Sequence, residues 1–215
     1  MKKKMSYAAL EKLGRVRLSP NFFFRDFLYS EISNFHGIPN LPHYPDVAVE
    51  VARNHCEQLL EPLTAAFGKI SIRSAYRSPE VNDFGNRNKL NCGSNEGNYG
   101  GHIFDYRDKE GALGGTVCIV VNSFVEYYEK TGDWPAMAWF IHDHLPYSSQ
   151  YYFPPLCAFN LTWSEKPKRV IKSYVSPKGL LTKPGMDNHE GDHSAFYDMP
   201  YFHEAAERLK RYRHP

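Results

Sequence analysis

The stretch from Asp46 to Gly68, D-VAVEVARNHCEQLLEPLTAAFG, constrains the fold more than any other. Ala52, Cys56, Leu59, Leu60, Leu63 and Phe67 recur at helical spacing, so one face of a helix over 46–67 must be buried. Asp46 is placed to cap it, Gly68 to end it and Pro62 to kink it. KISIRSAYR follows at once, alternating Ile70 and Ile72 with polar residues, the period of a half-buried strand over 69–77.

Around this pair the other elements fall into order. SPNFFFRDFLYSEISN reads as an amphipathic helix opened by Ser19 or Asn21, and GIPNLPHYP as a connector. Residues 78–99 read as an Asn- and Gly-rich loop, 100–106 and 116–121 as strands. DWPAMAWFIHDHL has Asp133 as cap and Pro135 in its first turn, which predicts a helix over 134–145 on the polar side of the sheet. SSQYYF, FNLTWS and RVIKSYV read as further strands, and FHEAAERLKRYR as a terminal helix. Helices first and strands after predict an α+β fold, a mainly antiparallel sheet with flanking helices. A domain over 1–176 and a C-terminal extension over 177–215 packed on or near it are expected.

Composition narrows the classes. A formal charge of +2 neither demands nor excludes nucleic acid. Cys56, Cys92, Cys118 and Cys157 form no CxxC pair, against a zinc knuckle or a disulfide scaffold. The opening MKKKMSYAALEKLGRVR has no apolar run of signal-peptide length, and no segment approaches a membrane span. A reduced, cytoplasmic protein without membrane contact is the expectation.

HEGDH, residues 189–193, matches the HExxH pattern of zinc proteases. That chemistry needs a helix to bring both imidazoles onto one face, and Gly191, Asp192 and the preceding TKPGMDN predict a polar loop instead. SIRSAYRSPEVN carries more information. Arg77 begins a loop, where a guanidinium can grip a carboxylate or phosphate through two hydrogen bonds or pair with an internal acid.

SAYRSPEVN resembles the SxYRSxxxN segment of the zinc D-Ala-D-Ala carboxypeptidases and related phage endolysins, which share the Hedgehog/DD-peptidase fold. GNYGGHIFDY resembles that family's SxHxxGHAxD segment, with Gly101, His102 and Asp105 on its Gly, second His and Asp. The resemblance covers roughly residues 20–175. It implies a zinc held by a His seven residues before the Asp, by the Asp, and by a His on a late strand, with a Glu as base. Here Asn98 stands at the first position, the late strand NLTWSE offers only Thr162 and Ser164, and YYFPPLCAF has no Glu. Asp105 alone survives. Neutral Asn and Thr are poor zinc ligands, so no metal is expected unless Asp105 recruits His142 or His144.

The expected pocket centres on Asp105 with Asn98 and His102 as catalytic partners. Arg77, Ser74, Tyr76, Tyr99, His142, His144 and Trp163 are the candidates for binding substrate, with Tyr106 and Asp143 nearby. Three readings follow. The first is a hydrolase on a DD-peptidase scaffold, for which the resemblance implies a peptide or peptidoglycan-type stem gripped by Arg77. The second is a nucleic-acid enzyme that modifies a base or cleaves its glycosidic bond, using the aromatics and the basic stretches EKPKRVIK and ERLKRYRHP. The third is a catalytically dead module binding a carboxylate-ended ligand.

Overall fold

Short helices build the first third of the protein. The computed structural model describes residues 6–214, so the outer ends of the expected 1–176 and 177–215 division lie outside the described residues. Ser6 Oγ accepts the Ala9 N–H and opens helix α1 (Tyr7–Gly14). Where one helix was expected from Ser19 or Asn21, two form: α2 (Phe24–Leu28) and α3 (Glu31–His36). Tyr29 is extended between them, and Ser30 Oγ accepts the Ser33 N–H to start the chain winding again.

The 46–67 helix is present with an unforeseen device at its proline. It runs as α4 (Pro45–His55), a π-helical stretch (Cys56–Leu60) and α5 (Glu61–Phe67). Pro62, where a kink was expected, has no N–H for an i−4 carbonyl, and the π turn stands directly before it. Asp46 lies in the first turn and makes no cap bond. Gly68, at φ +81°, ends α5 and leads into β1 (Ile70–Ser74).

Residues 78–99 are not a loop. Ser78 Oγ accepts the Val81 N–H at 3.2 Å and Pro79 fills the first turn of α6 (Pro79–Arg87). A four-residue helix α7 (Asn95–Asn98) follows. Residues 100–106 are not a strand either. Gly100 takes φ +67°, and its N–H bonds to Tyr106 O at 2.9 Å, closing the segment into turns.

The remaining elements are β2 (Gly114–Val121), α8 (Val125–Thr131), α9 (Trp134–His144), β3 (Ser149–Tyr152), β4 (Phe159–Ser164), β5 (Val170–Ser173), β6 (Gly179–Thr182) and α10 (Pro200–Arg213). The sheet is mixed, in the order β1-β2-β4-β3-β5-β6, with β3 and β5 parallel and the other pairs antiparallel. The architecture is α+β, a six-stranded sheet with flanking helices. The C-terminal segment belongs to this body, since β6 extends the sheet and α10 packs on α5.

Strand alternation divides the sheet into two unlike faces. Val117, Ile119, Leu161, Phe159, Tyr152 and Ile171 are buried on one of them. Each such side chain contributes about 1.5–3 kcal/mol by leaving water. α4 approaches this face so closely that a Cβ on Gly115 would lie 2.7 Å from Val51 Cγ1. His55 sits fully buried between them, its Nε2–H donating to Leu161 O at 2.8 Å. α9 packs on the buried face as well, not on the polar side. Ala136 to Ile141 are all buried, Gln150 Nε2 donates to Ala138 O, and the Trp134 and Tyr152 rings lie 4.9 Å apart. The opposite face carries Thr116, Thr162 and Ser149 in one row.

Candidate functional site

Asp105 is buried and fully engaged. Its Oδ2 accepts the backbone N–H groups of His43 (2.7 Å) and Tyr44 (3.0 Å), and its Oδ1 accepts the Tyr76 O–H (3.1 Å). Burial and the neighbouring Asp105 charge push the Tyr76 hydroxyl well above its usual pKa, so it remains a donor. Three donors on one carboxylate tie the chain entering α4 to the turn at 105. This arrangement holds a loop in place.

The partners expected around Asp105 are occupied elsewhere. His102 Nδ1–H donates to Ala75 O at 2.9 Å, and burial, then the Arg77 charge, lowers its pKa to about 3. Its carbonyl accepts the Arg77 N–H at 2.8 Å. The Arg77 guanidinium donates to Cys92 Sγ at 2.6 Å rather than to a carboxylate. Asn98 Nδ2 donates to Ser94 O, while the Asn98 carbonyl accepts the Gly101 and Ile103 N–H groups. Ser74 stands opposite Cys118 at the end of β1. Trp163 points to the covered face, where Nε1 donates to Gln58 Oε1 at 2.9 Å. No hydrogen bond joins Asn98, His102 or Arg77 to Asp105 among the described residues.

The same folded segment builds a different site. Past the end of β1, Gly101 O accepts the Thr116 N–H at 3.0 Å, so residues 99–101 form a wall beside the open face of the sheet. Between this wall and Lys168 lies a groove of about 390 Å³ floored by Thr116, Thr162 and Ser149. Thr116 and Thr162 Oγ1 lie 2.8 Å apart, and Ser149 Oγ donates to Thr162 Oγ1 at 2.9 Å. Three hydroxyls carry three protons and these two bonds use two of them. One donor hydrogen and several acceptor lone pairs remain for a bound molecule.

Charges at the rim are balanced. Lys168 Nζ lies 3.3 Å from Glu110 and 3.9 Å from Asp108, and Lys166 Nζ donates to Glu110 O. Tyr99, on the wall, stacks on Tyr106 at 4.7 Å and 13°. Of the residues expected at the site, Tyr99 alone lines this groove, together with the late-strand Thr162 and Ser164. Thr116 and Ser149 were missed because they lie on other strands, and only the register places them beside Thr162.

His142 and His144 face a second cavity, of about 600 Å³, against the C-terminal segment. His142 Nε2–H donates to His189 O at 2.8 Å and its Nδ1 accepts the Tyr147 O–H at 2.6 Å. Burial lowers the pKa of both imidazoles. Neither is bonded to Asp105. HEGDH is irregular, as its glycine foretold, yet His189 and His193 are buried rather than solvated. His193 stacks on Trp139 at 4.2 Å, and its Nδ1 lies 2.7 Å from Asp143 Oδ1. Asp143 Oδ2 also accepts the Tyr197 O–H at 2.7 Å. Glu190 is exposed, and its carboxylate approaches only His189 Nε2, at 3.8 Å, among the described residues.

Among the described residues, no group of three or more His, Cys, Asp or Glu is arranged to hold a metal ion, and no helix is long and apolar enough to cross a membrane. Comparison with family models, curated proteins and solved structures finds no match for this chain.

Proposed function

We propose that this protein is a binding domain for a polar, peptide-like ligand, which lies in the groove over Thr116, Thr162 and Ser149. The motifs SAYRSPEVN and GNYGGHIFDY resemble those of the DD-peptidase class, and a ligand of the stem-peptide type is what that resemblance implies. The observation that carries the reading is the linked row of three hydroxyls on the floor of the groove. Hydroxyls that bond one another and still keep a donor free suit the amides of a peptide. The pairing of Lys168 with Asp108 and Glu110 at the rim favours a ligand of little net charge over a nucleic-acid backbone. Hydrolysis centred on Asp105 is the weaker reading, because three donors already hold that carboxylate.

The test is a titration of the isotopically labelled protein with a stem pentapeptide ending in D-Ala-D-Ala, followed by NMR. Saturable shifts at Thr116, Ser149 and Thr162 are expected, with the peptide recovered intact. Shifts confined to the surroundings of Asp105 and His43, or cleavage of the peptide, would overturn the proposal.

A further inference from the structure

β1 is the outer strand at one end of the sheet, and among the described residues no strand pairs with its far edge. An open edge presents unpaired N–H and C=O groups, a template for another extended chain. A groove of about 530 Å³ runs beside it, walled by Ile70 and Ile72 from the strand and by Phe22, Arg25 and Tyr29 from the region of α2. Tyr29 is half exposed there, a large aromatic with one side uncovered. The groove therefore joins a backbone template to an apolar trough.

The charges say what fits. Arg25 on the groove and Arg73 on β1 form no ion pair among the described residues, and neither does Lys69 just before the strand. The groove also carries one acid, Asp26, whose Oδ2 accepts the Phe23 N–H at 2.8 Å. A second copy of this edge would add the same unpaired Arg25, Arg73 and Lys69 to the seam, whereas a carboxylate-bearing chain would neutralise them. The geometry points to β1 as the docking edge for an extended acidic peptide, which adds to the sheet as a further strand. Its alternate side chains enter the trough between Ile72 and Tyr29, with Arg25 at the rim, and the carboxylates between them meet Arg73, which faces the other side of β1.

A capped heptapeptide of alternating valine and glutamate tests this on the full chain. Binding is expected to be saturable and to slow amide exchange along residues 70–74. The same peptide with lysine for glutamate should bind roughly tenfold more weakly or worse, the size of two exposed ion pairs. The double variant Arg25→Glu/Arg73→Glu should reverse that preference, and as both side chains are exposed it should melt like the parent. N-methylation of the glutamate peptide at alternate amides should abolish binding in one phase and spare it in the other, as a strand pairing requires. Equal binding of both peptides, loss with either methylation phase, or self-association of the protein through β1 would overturn the proposal.

Discussion

The Asp105 carboxylate and the His43 N–H meet at 2.7 Å across 62 residues of sequence, with the Tyr44 N–H on the same oxygen at 3.0 Å. His43 is held a second time from its ring, whose Nδ1 lies 2.7 Å from Tyr106 Oη and whose Nε2 lies 2.7 Å from Glu80. The start of α4 is thus tied to the 105–106 turn by backbone and side chain together. Asp105 does for this loop what a cap does for a helix: it accepts N–H groups that the connector leaves unpaired.

Asp105→Asn is accordingly expected to destabilise the fold. Charge-assisted hydrogen bonds to a buried carboxylate contribute about 1.5–3 kcal/mol, and an amide retains only part of that. A loss of about 2 kcal/mol in urea unfolding is expected. Ligand binding by the folded variant should be unchanged. An unaltered unfolding midpoint combined with lost binding would return Asp105 to the functional site.

The sequence pattern reveals elements wherever local chemistry decides, and misleads where contacts across the fold decide. The 46–67 helix and the strand at 159–164 are visible from spacing alone. The strand expected at 100–106 fails because Gly100 adopts positive φ and Gly101 turns its carbonyl to Thr116. Trp163 is expected in the pocket, but the two-residue alternation that turns Thr162 and Ser164 to the groove drives it to the covered side. The Asn and Gly content of 78–99 hides the helix that Ser78 and Pro79 open. Nothing near HEGDH in the sequence announces that Trp139 and Asp143 receive it.

Acid should weaken the fold through its buried imidazoles. Burial lowers His55 to about 4 and His102 to about 3, so both are neutral in the folded protein while their unfolded forms titrate near 6.5. Below that value the unfolded chain binds more protons, so stability is complete above about pH 6.5 and falls as pH drops toward 4. Each imidazole contributes a slope of at most about 1.4 kcal/mol per pH unit. Urea titrations at successive pH values read the slope directly, and His102→Gln should remove about one imidazole's share. A flat profile between about pH 6 and pH 5 would show that these rings are accessible to protons in the folded state.

The HEGDH segment should behave as structure. Removing the Asp143 carboxylate leaves His193 stacked in place without its partner and deprives the Tyr197 hydroxyl of its acceptor. Asp143→Ala is expected to cost about 1–3 kcal/mol, the cost of leaving buried donors without their acceptor. It should also admit protease around residues 183–199, which limited digestion would detect. Glu190→Gln, on an exposed side chain, should change neither stability nor ligand binding. A strong effect of Glu190→Gln with none from Asp143→Ala would reverse these roles.

Thr162→Val isolates the groove. Valine keeps the β-branched shape that suits β4 and removes only the hydroxyl that joins Thr116 to Ser149. Those bonds are neutral and partly exposed, so their loss should cost no more than about 1 kcal/mol of stability. The two stranded hydroxyls would turn to solvent, and a bound peptide would lose the central group of the row. Affinity for the stem peptide should fall roughly tenfold, with Thr162→Ser restoring most of it because the hydroxyl returns. Thr116→Val should act in the same direction, and the double variant should fall short of the sum, since both changes break one shared bond. Calorimetric titration of the four proteins separates this pattern from a general loosening of the sheet. Loosening would lower the melting temperature of each variant and would not be repaired by serine.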